Sequence, residues 1–425
     1  MNSTKRKAAQ PEMPAPQKDT PASWRTFKRR AAAIAIILVA SMIPCVAILQ
    51  NGMSNSASGN SDNVPVSAPR IWGQLEYTPI VIAPPLEFVE DPPSEYYSEG
   101  IAWHFSGTSS TRLSALFKSI NLSAPLREKL ISMAEPNESI RGMSIRPSRQ
   151  FALNISPEDR AALYIALCAY RVNNSEYAPF QFRGNSTDEW FDGSAVSPTT
   201  RKLVEPLIYR RGEFMYFGDF RTIGYLPSHT ERSNLLKTLM RNATFIAHLK
   251  VSPDSDLEAL VKYWGRGGRA HEVRPILEAL MRRGGEQAIN ITHLLPALAR
   301  RKLYTYPKRS DSDIELRSRD CHWTSMNFFN DVLDDSFCDI RKVNTALQTK
   351  YYRISDPLRL GDVIVLFTPQ MRFIHSAVYI ADDVFFHRCG SRSYEPWALT
   401  RRKDLKAYYP SHDKFTVHYY RRKSL

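Results

Sequence analysis

One cysteine in the last quarter of the chain is placed where its thiol could act as a nucleophile. Cys321 follows Asp320, a residue type that is favoured at helix N-caps. Apolar residues then recur at helical spacing, at Met326, Phe329 and Leu333. The sequence therefore predicts Cys321 in the first turn of a helix, where unpaired backbone N–H groups and the macrodipole favour a thiolate. The alternative is a buried structural cysteine, because free cysteine is among the most buried residue types.

Two histidines lie on neighbouring strand-like runs that only three residues, Ala381 to Asp383, connect. A connection of this length is too short for anything but an antiparallel hairpin. A turn centred on Ala381 places His375 directly opposite His387 on one face of the hairpin. We therefore expect His387 to hold one ring nitrogen of His375 by a hydrogen bond, which leaves the second nitrogen to take the Cys321 proton.

Two other interpretations of these residues stay open. Each histidine could instead be a satisfied, half-buried strand residue. A zinc site is the other possibility, because its ligands could be drawn from four residues of suitable type: Cys321, His375, His387 and Cys389. The chain has no paired, short-spacing metal motif around them, so we predict no metal and no cofactor.

The elements that must position these residues follow a polar stretch at 308–320. The helix that begins at Cys321 precedes four strand-like runs, at 362–367, 373–380, 384–389 and 415–420. A helix followed by antiparallel strands is typical of an α+β fold.

Four features of this segment resemble one family. They are the "DC" that opens the helix, the "GD" turn of Gly361 and Asp362 before an apolar strand, the run "HSAVYIADD", and a second histidine twelve positions after the first. Together they resemble the NlpC/P60 superfamily of papain-like cysteine peptidases, over about residues 310 to 425.

The resemblance implies that Cys321 is the nucleophile, His375 the general base and His387 the residue that orients it. It also implies a helix packed on an antiparallel sheet. One departure from the family's pattern is the pair His322-Trp323, which stands where small residues usually follow the cysteine. The bulk of this pair narrows the cleft or supplies a stacking wall.

The middle of the chain, residues 96–310, carries mainly helical patterns and matches no family whose function we can state. Ser156 and Pro157 are typical of a helix start. Residues 252–285 predict two helices, separated where glycines interrupt the pattern at 265–268. We therefore predict a mainly helical region of unknown role.

The first 95 residues predict attachment to a membrane. Residues 1–30 hold eight Lys and Arg against two acids, as in a basic cytoplasmic tail. Residues 31–49 carry no charge and are long enough to cross a hydrocarbon core of about 30 Å, with the N-terminus inside. Residues 50–95 are rich in Pro and Ser, as in a linker. A cleaved signal peptide is the alternative to an anchor, although the apolar run is longer than is usual for one.

Charge and cysteine content limit the partners and the compartment. The net charge of +14 suits an anionic partner, such as a cell-wall polymer or peptide, and we do not expect nucleic acid. The five cysteines have no regular spacing, which argues against a disulfide scaffold. A single bridge between Cys338 and Cys389 is the alternative.

The sequence as a whole predicts an α+β protein with a transmembrane helix, a mainly helical middle region and an NlpC/P60-type domain over 311–425. We expect a bacterial, membrane-anchored protein whose extracytoplasmic (periplasmic) part is a cysteine hydrolase, an amidase or endopeptidase of peptidoglycan stem peptides. Two alternatives come from other functional classes. One is a non-catalytic envelope binding module with the same fold, and the other is an acyl or amide transferase that forms a thioester.

Overall fold

The computed structural model describes residues 71–89, 91–92, 97, 100–307, 319–355, 357–390, 392, 394–409 and 415–425. All of them belong to one compact unit. Within these residues, no helix is both long and apolar enough to cross a membrane. The predicted tail and anchor, and the first part of the predicted linker, lie outside the described residues, so the predicted membrane topology stays a prediction.

Fifteen β-strands form in the described part of the chain. They are β1 (Gln74–Ile82), β2 (Trp103–Phe105), β3 (Ala134–Asn137), β4 (Gly142–Ile145), β5 (Phe180–Arg183), β6 (Tyr209–Arg211), β7 (Phe214–Phe217), β8 (Asn242–Val251), β9 (Gln287–Asn290), β10 (Tyr351–Arg353), β11 (Val363–Phe367), β12 (Phe373–Ala381), β13 (Val384–Arg388), β14 (Trp397–Arg401) and β15 (Thr416–Arg422).

Fifteen α-helices accompany them in the same residues. They are α1 (Ser110–Ser119), α2 (Ala124–Ser132), α3 (Arg149–Leu153), α4 (Pro157–Leu167), α5 (Asn174–Tyr177), α6 (Thr187–Phe191), α7 (Pro198–Val204), α8 (Phe220–Ile223), α9 (His229–Leu239), α10 (Leu257–Trp264), α11 (Ala270–Arg282), α12 (Ala297–Lys302), α13 (Cys321–Met326), α14 (Ile340–Thr349) and α15 (Arg402–Ala407). Short 3₁₀ helices span Leu86–Phe88, Glu138–Ile140, Glu205–Leu207, Ile291–Leu294 and Asp335–Cys338.

The described strands form four sheets, and every strand pair in them is antiparallel. Three sheets have three strands each, in the orders β1-β8-β9, β2-β4-β3 and β5-β7-β6. The fourth has six strands in the order β10-β15-β11-β12-β13-β14. All six strands of this last sheet follow the helix that begins at Cys321.

The predicted fold class is wrong, because the middle region is not mainly helical. It contains β2 to β9, which belong to the three smaller sheets. Their sequences do not carry the usual strand patterns. Strand β7 is buried on both faces and so lacks the alternation of apolar and polar residues that marks a half-buried strand. Strand β3 contains Pro136, which is tolerated because β3 lies at the edge of its sheet. The described chain therefore mixes helices with antiparallel sheets throughout, and its described residues hold no membrane-spanning helix.

In the middle region, the residues that predicted a helix start and a break between two helices are confirmed. Ser156 caps α4 by accepting a hydrogen bond from the Asp159 backbone N–H, and Pro157 opens the helix. Helices α10 and α11 are separated at the predicted glycines, where Gly267 and Gly268 have φ values of +77° and +80°.

The middle region also covers one face of the six-stranded sheet. One hydrophobic core joins Leu249 of β8 and Trp264 of α10 to Val378 and Ile380 of β12. The Tyr263 hydroxyl donates a hydrogen bond to the Ile380 carbonyl oxygen at 2.7 Å. The segment with the candidate nucleophile therefore shares its core with the middle of the chain.

The turn before β11 is fixed by a buried ion pair. Asp362 accepts two hydrogen bonds from the Arg421 guanidinium, at 2.9 and 2.7 Å, and both side chains are almost fully buried. Gly361 has a φ of +90°, and a Cβ there would lie 2.0 Å from the Phe329 ring. The "GD" pair is thus required by backbone conformation, by close packing and by a charge contact to β15.

Candidate active site

Cys321 occupies the first position of α13, as predicted. The Asp320 carboxylate caps the helix by accepting hydrogen bonds from the His322 and Trp323 backbone N–H groups, at 2.8 and 3.0 Å. The helix is shorter than the predicted periodicity and ends at Met326. It ends there because the Asn327 side chain bonds back to the Trp323 carbonyl and also accepts from the Asp334 backbone N–H.

The predicted thiolate at Cys321 is wrong. The side chain is only 5% exposed, and burial raises the pKa of the thiol well above its usual value, with a further rise from the Asp320 charge. A hydrogen bond from the Ser376 backbone N–H and the Arg388 charge lower the pKa, but by less. The His322 and Trp323 backbone N–H groups donate to the capping Asp320 carboxylate and not to the sulfur. Because burial also disfavours the thiolate, Cys321 is a neutral thiol at neutral pH.

The two predicted histidines meet, but not in the predicted register. Val378 pairs with Phe386, so His387 lies beyond that pair toward Ala377 and diagonally from His375. The difference arises because Ala381 pairs with Val384 after a register shift and leaves a two-residue turn. An offset of two residues keeps both side chains on the same face. Their rings lie 4.8 Å apart between centroids, at an angle of 83°.

The partner that orients His375 is Tyr409, not His387. The Tyr409 hydroxyl lies 2.5 Å from Nδ1 of His375. Both ring nitrogens of His387 are engaged elsewhere, Nε2 with the Thr400 hydroxyl at 2.8 Å and Nδ1 with the Arg388 carbonyl at 3.1 Å. Burial lowers the pKa of His387 to about 4 and that of His375 well below its usual value, so both rings are neutral.

His375 makes no hydrogen bond with Cys321, although Tyr409, which bonds His375, lines the same cavity as Cys321. Helix α13 packs on the face of β12 that presents Ser376, because the Ser376 hydroxyl lies 3.2 Å from the Cys321 carbonyl oxygen. Side chains alternate along a strand, so His375 projects to the opposite face, where it contacts Tyr409. Within the described residues, Nε2 of His375 is buried without a hydrogen-bond partner. The predicted transfer from Cys321 to His375 therefore has no hydrogen bond in this structure.

A cavity of about 660 Å³ opens at Cys321. Its walls include Cys321, His322, Tyr408 and Tyr409, whereas neither of the two predicted histidines lines it. The acidic and basic residues on the cavity wall are two acids, Asp320 and Glu395, and three arginines: Arg171, Arg372 and Arg392. The cavity is therefore a polar space with a small excess of positive charge, and one thiol on its wall has the placement of a nucleophile.

His322 is a functional candidate whose predicted role was only steric. One of its ring nitrogens, the Cys321 sulfur and an Asp320 carboxylate oxygen lie within 4.8 Å of one another. Nδ1 of His322 is 3.0 Å from the Ser376 hydroxyl oxygen, and burial lowers the pKa of the ring. Its position directly after a cysteine at a helix start was the signal that could have identified it.

The zinc alternative receives no support from the positions of its four candidate ligands. Both ring nitrogens of His387 are already engaged, with the Arg388 carbonyl oxygen and the Thr400 hydroxyl. Within the described residues, the potential ligand atoms that come together are those of Asp320, Cys321 and His322. The carboxylate of this trio already caps the helix, and Nδ1 of the imidazole already lies 3.0 Å from the Ser376 hydroxyl. None of the four described cysteines forms a disulfide, so the Cys338–Cys389 bridge is not formed.

Burial of the thiol reverses the expected order of reactivity. At neutral pH a charge-neutral alkylating reagent should label Cys321 more slowly than the partly exposed Cys338, because the Cys321 thiolate fraction is small. The Cys321 rate should rise about tenfold per pH unit and should still be rising above the usual cysteine pKa of about 8.5. Peptide mapping after timed labelling measures both rates. Faster labelling of Cys321 at neutral pH would restore the thiolate interpretation.

Removing the Tyr409 hydroxyl should destabilise the fold. In Tyr409→Phe, Nδ1 of the buried His375 loses its partner, and we expect a loss of about 1–3 kcal/mol in the free energy of unfolding. Tyr420→Phe is the matched control, because its hydroxyl contacts His418 at 3.3 Å in a more exposed setting. Urea denaturation compares the two variants, and equal stabilities would contradict the positioning role of Tyr409.

Comparison of the chain with protein-family models, curated proteins and solved structures finds no significant match. The resemblance to the NlpC/P60 superfamily therefore rests on the four sequence features alone.

Proposed function

We propose that this chain is a thiol-dependent hydrolase that cleaves amide bonds in carboxylate-rich peptides, with cell-wall stem peptides as the first candidates. The observation that carries the proposal is the Cys321 thiol on the wall of the 660 Å³ cavity, with an imidazole nitrogen and a carboxylate oxygen within 4.8 Å. A nucleophile, a base within reach and a space for substrate are what acyl transfer requires.

The reaction proceeds through a thioester. The Cys321 thiol gives its proton to an imidazole and the sulfur attacks the substrate carbonyl, so a C–S bond forms and charge moves to oxygen. The C–N bond then breaks as the leaving amine takes that proton. A water molecule, deprotonated by the same imidazole, cleaves the thioester, and the sulfur recovers its proton.

A buried guanidinium stabilises the negative charge in the proposed reaction. The His322 and Trp323 backbone N–H groups bond the Asp320 carboxylate, so they are not available to an oxyanion. The buried Arg388 guanidinium instead places a positive charge near Cys321, where it favours the thiolate. Arg388 is held in position by its hydrogen bonds to the Arg319 and Arg392 carbonyl oxygens.

The cavity charges support an anionic peptide as substrate. Arg171 and Arg372 are exposed at its wall, and Arg392 lies next to Glu395. Guanidinium groups bind carboxylates through paired hydrogen bonds. Peptides with several free carboxylates, such as peptidoglycan stems, complement such a surface better than neutral or cationic ones.

The test is to incubate the purified full-length chain with peptidoglycan and, in parallel, with its isolated stem peptides. Mass spectrometry should find new free amines paired with new carboxylates at one type of bond. Absence of any product across pH and wall types would overturn the proposal.

A second candidate, favoured by the burial of Cys321, is a binding module that uses the same cavity without catalysis. A binding module would give a different result in the same experiment. Calorimetry would show that the stem peptides bind, and mass spectrometry would show that they remain intact. A transferase that resolves the thioester with an amine would instead give products only when an acceptor amine is supplied.

A further inference from the structure

We infer that His322, the residue directly after the nucleophile, is the general base and acid of this site, in the place that the family resemblance gives to His375. The inference rests on the proposed hydrolase function. It begins from position: His322 lines the cavity beside Cys321, and its ring has a nitrogen within 4.8 Å of the trio's other two atoms. His375 does not line the cavity and projects from the opposite face of the sheet.

The hydrogen-bond network around His322 sets its tautomer. The Ser325 hydroxyl donates to the Cys321 carbonyl oxygen at 2.9 Å, and the Ser376 hydroxyl donates to Ser325 at 3.0 Å. Both hydroxyl protons are therefore directed to acceptors other than His322. The Ser376 oxygen is left to accept from Nδ1–H of His322, at 3.0 Å.

A ring that donates through Nδ1 carries its lone pair on Nε2. Burial lowers the pKa of His322, which keeps the ring neutral and able to accept a proton. The charges and titratable groups that bear on the site are Asp320 on the same segment, Arg388 on β13, Glu395 and Tyr409 across the cavity, and His375 on β12. Of these, the Asp320 carboxylate is placed to stabilise the imidazolium that forms.

These groups account for every proton that is transferred in the proposed reaction. Nε2 takes the Cys321 proton, directly or through one water in the cavity, and the imidazolium gives it to the leaving amine. In the second half the same nitrogen deprotonates the attacking water and returns the proton to the Cys321 sulfur. Nδ1–H stays bonded to Ser376 throughout, so the ring keeps its orientation.

The discriminating variant is His322→Asn. An asparagine amide can keep the Nδ1-like donor to Ser376, but it has no counterpart of Nε2. We expect kcat/KM on the stem peptides to fall about 10²- to 10⁴-fold with a small change in stability. His375→Asn is the matched control, and its folded fraction should retain activity within about tenfold because the His375 side chain does not line the cavity.

Rescue of activity by added imidazole distinguishes a catalytic role of His322 from a structural one. In His322→Ala the cavity opens toward Cys321, and added imidazole should restore at least about tenfold in rate with saturation, while leaving His375→Ala unchanged. Activity of His322→Asn within threefold of the unaltered chain, or imidazole rescue at position 375 and not at 322, would overturn the inference alone. An unaltered chain that cleaves nothing would overturn the proposed function, and the inference with it.

Discussion

Cys321→Ala should abolish amide cleavage, with a loss of about 10³-fold or more in kcat/KM. The physical reason is that the thioester cannot form without the sulfur. Cys168 and Cys389 also line the cavity, but of these three cysteines only Cys321 begins a helix. The stability of the variant should change little, since alanine suits the first position of a helix. The measurement is the initial rate of amine release from stem peptides.

Cys338→Ser is the control for that experiment. Cys338 lies in the 3₁₀ helix that contacts α13, but its thiol does not line the cavity. We therefore expect the rate of amine release by Cys338→Ser to stay within twofold of that of the unaltered chain. Product release that survives Cys321→Ala would reject the nucleophile assignment, whereas equal losses in both variants would point to a general loss of structure.

The second large effect concerns stability and does not depend on the proposed function. Asp362→Asn should lower the free energy of unfolding by about 3–5 kcal/mol, because it leaves the Arg421 guanidinium buried without its charge partner. The Arg359 backbone N–H, which donates to the same carboxylate at 2.7 Å, also loses an ionised acceptor. Guanidinium denaturation at neutral pH gives the difference in midpoint.

Asp188→Asn is the exposed counterpart of this substitution. Asp188 pairs with Arg201, but its side chain is 81% exposed, and we expect a change below about 1 kcal/mol. If both variants unfold at the same denaturant concentration, the turn before β11 is not held by the buried pair.

Local chemistry in the sequence was enough to predict where the candidate nucleophile sits. Asp320 caps α13 as expected, since a cap depends on residues within one turn. The strands β11, β12, β13 and β15 were predicted for a similar reason, because long apolar runs between turn residues favour strands whatever surrounds them. Strand β7, a four-residue buried run, offers no such signal.

What the sequence could not supply depends on contacts between distant segments. The thiol was expected to ionise because it begins a helix, yet burial by the rest of the fold outweighs that local effect. The predicted hairpin placed both histidines on one face of the sheet, as observed, but missed the register shift near the turn. Tyr409 bonds His375 across 34 residues, and no periodicity in its surroundings indicates that contact.

The central claim, a thioester on Cys321, can be tested directly by trapping the acyl-enzyme. An activated ester of a stem peptide acylates the thiol quickly, so the intermediate should accumulate before water releases it. After an acid quench, intact mass spectrometry should show one added acyl group, and peptide mapping should place it on Cys321. Product formation without any adduct on Cys321, or the same adduct in Cys321→Ala, would contradict the account.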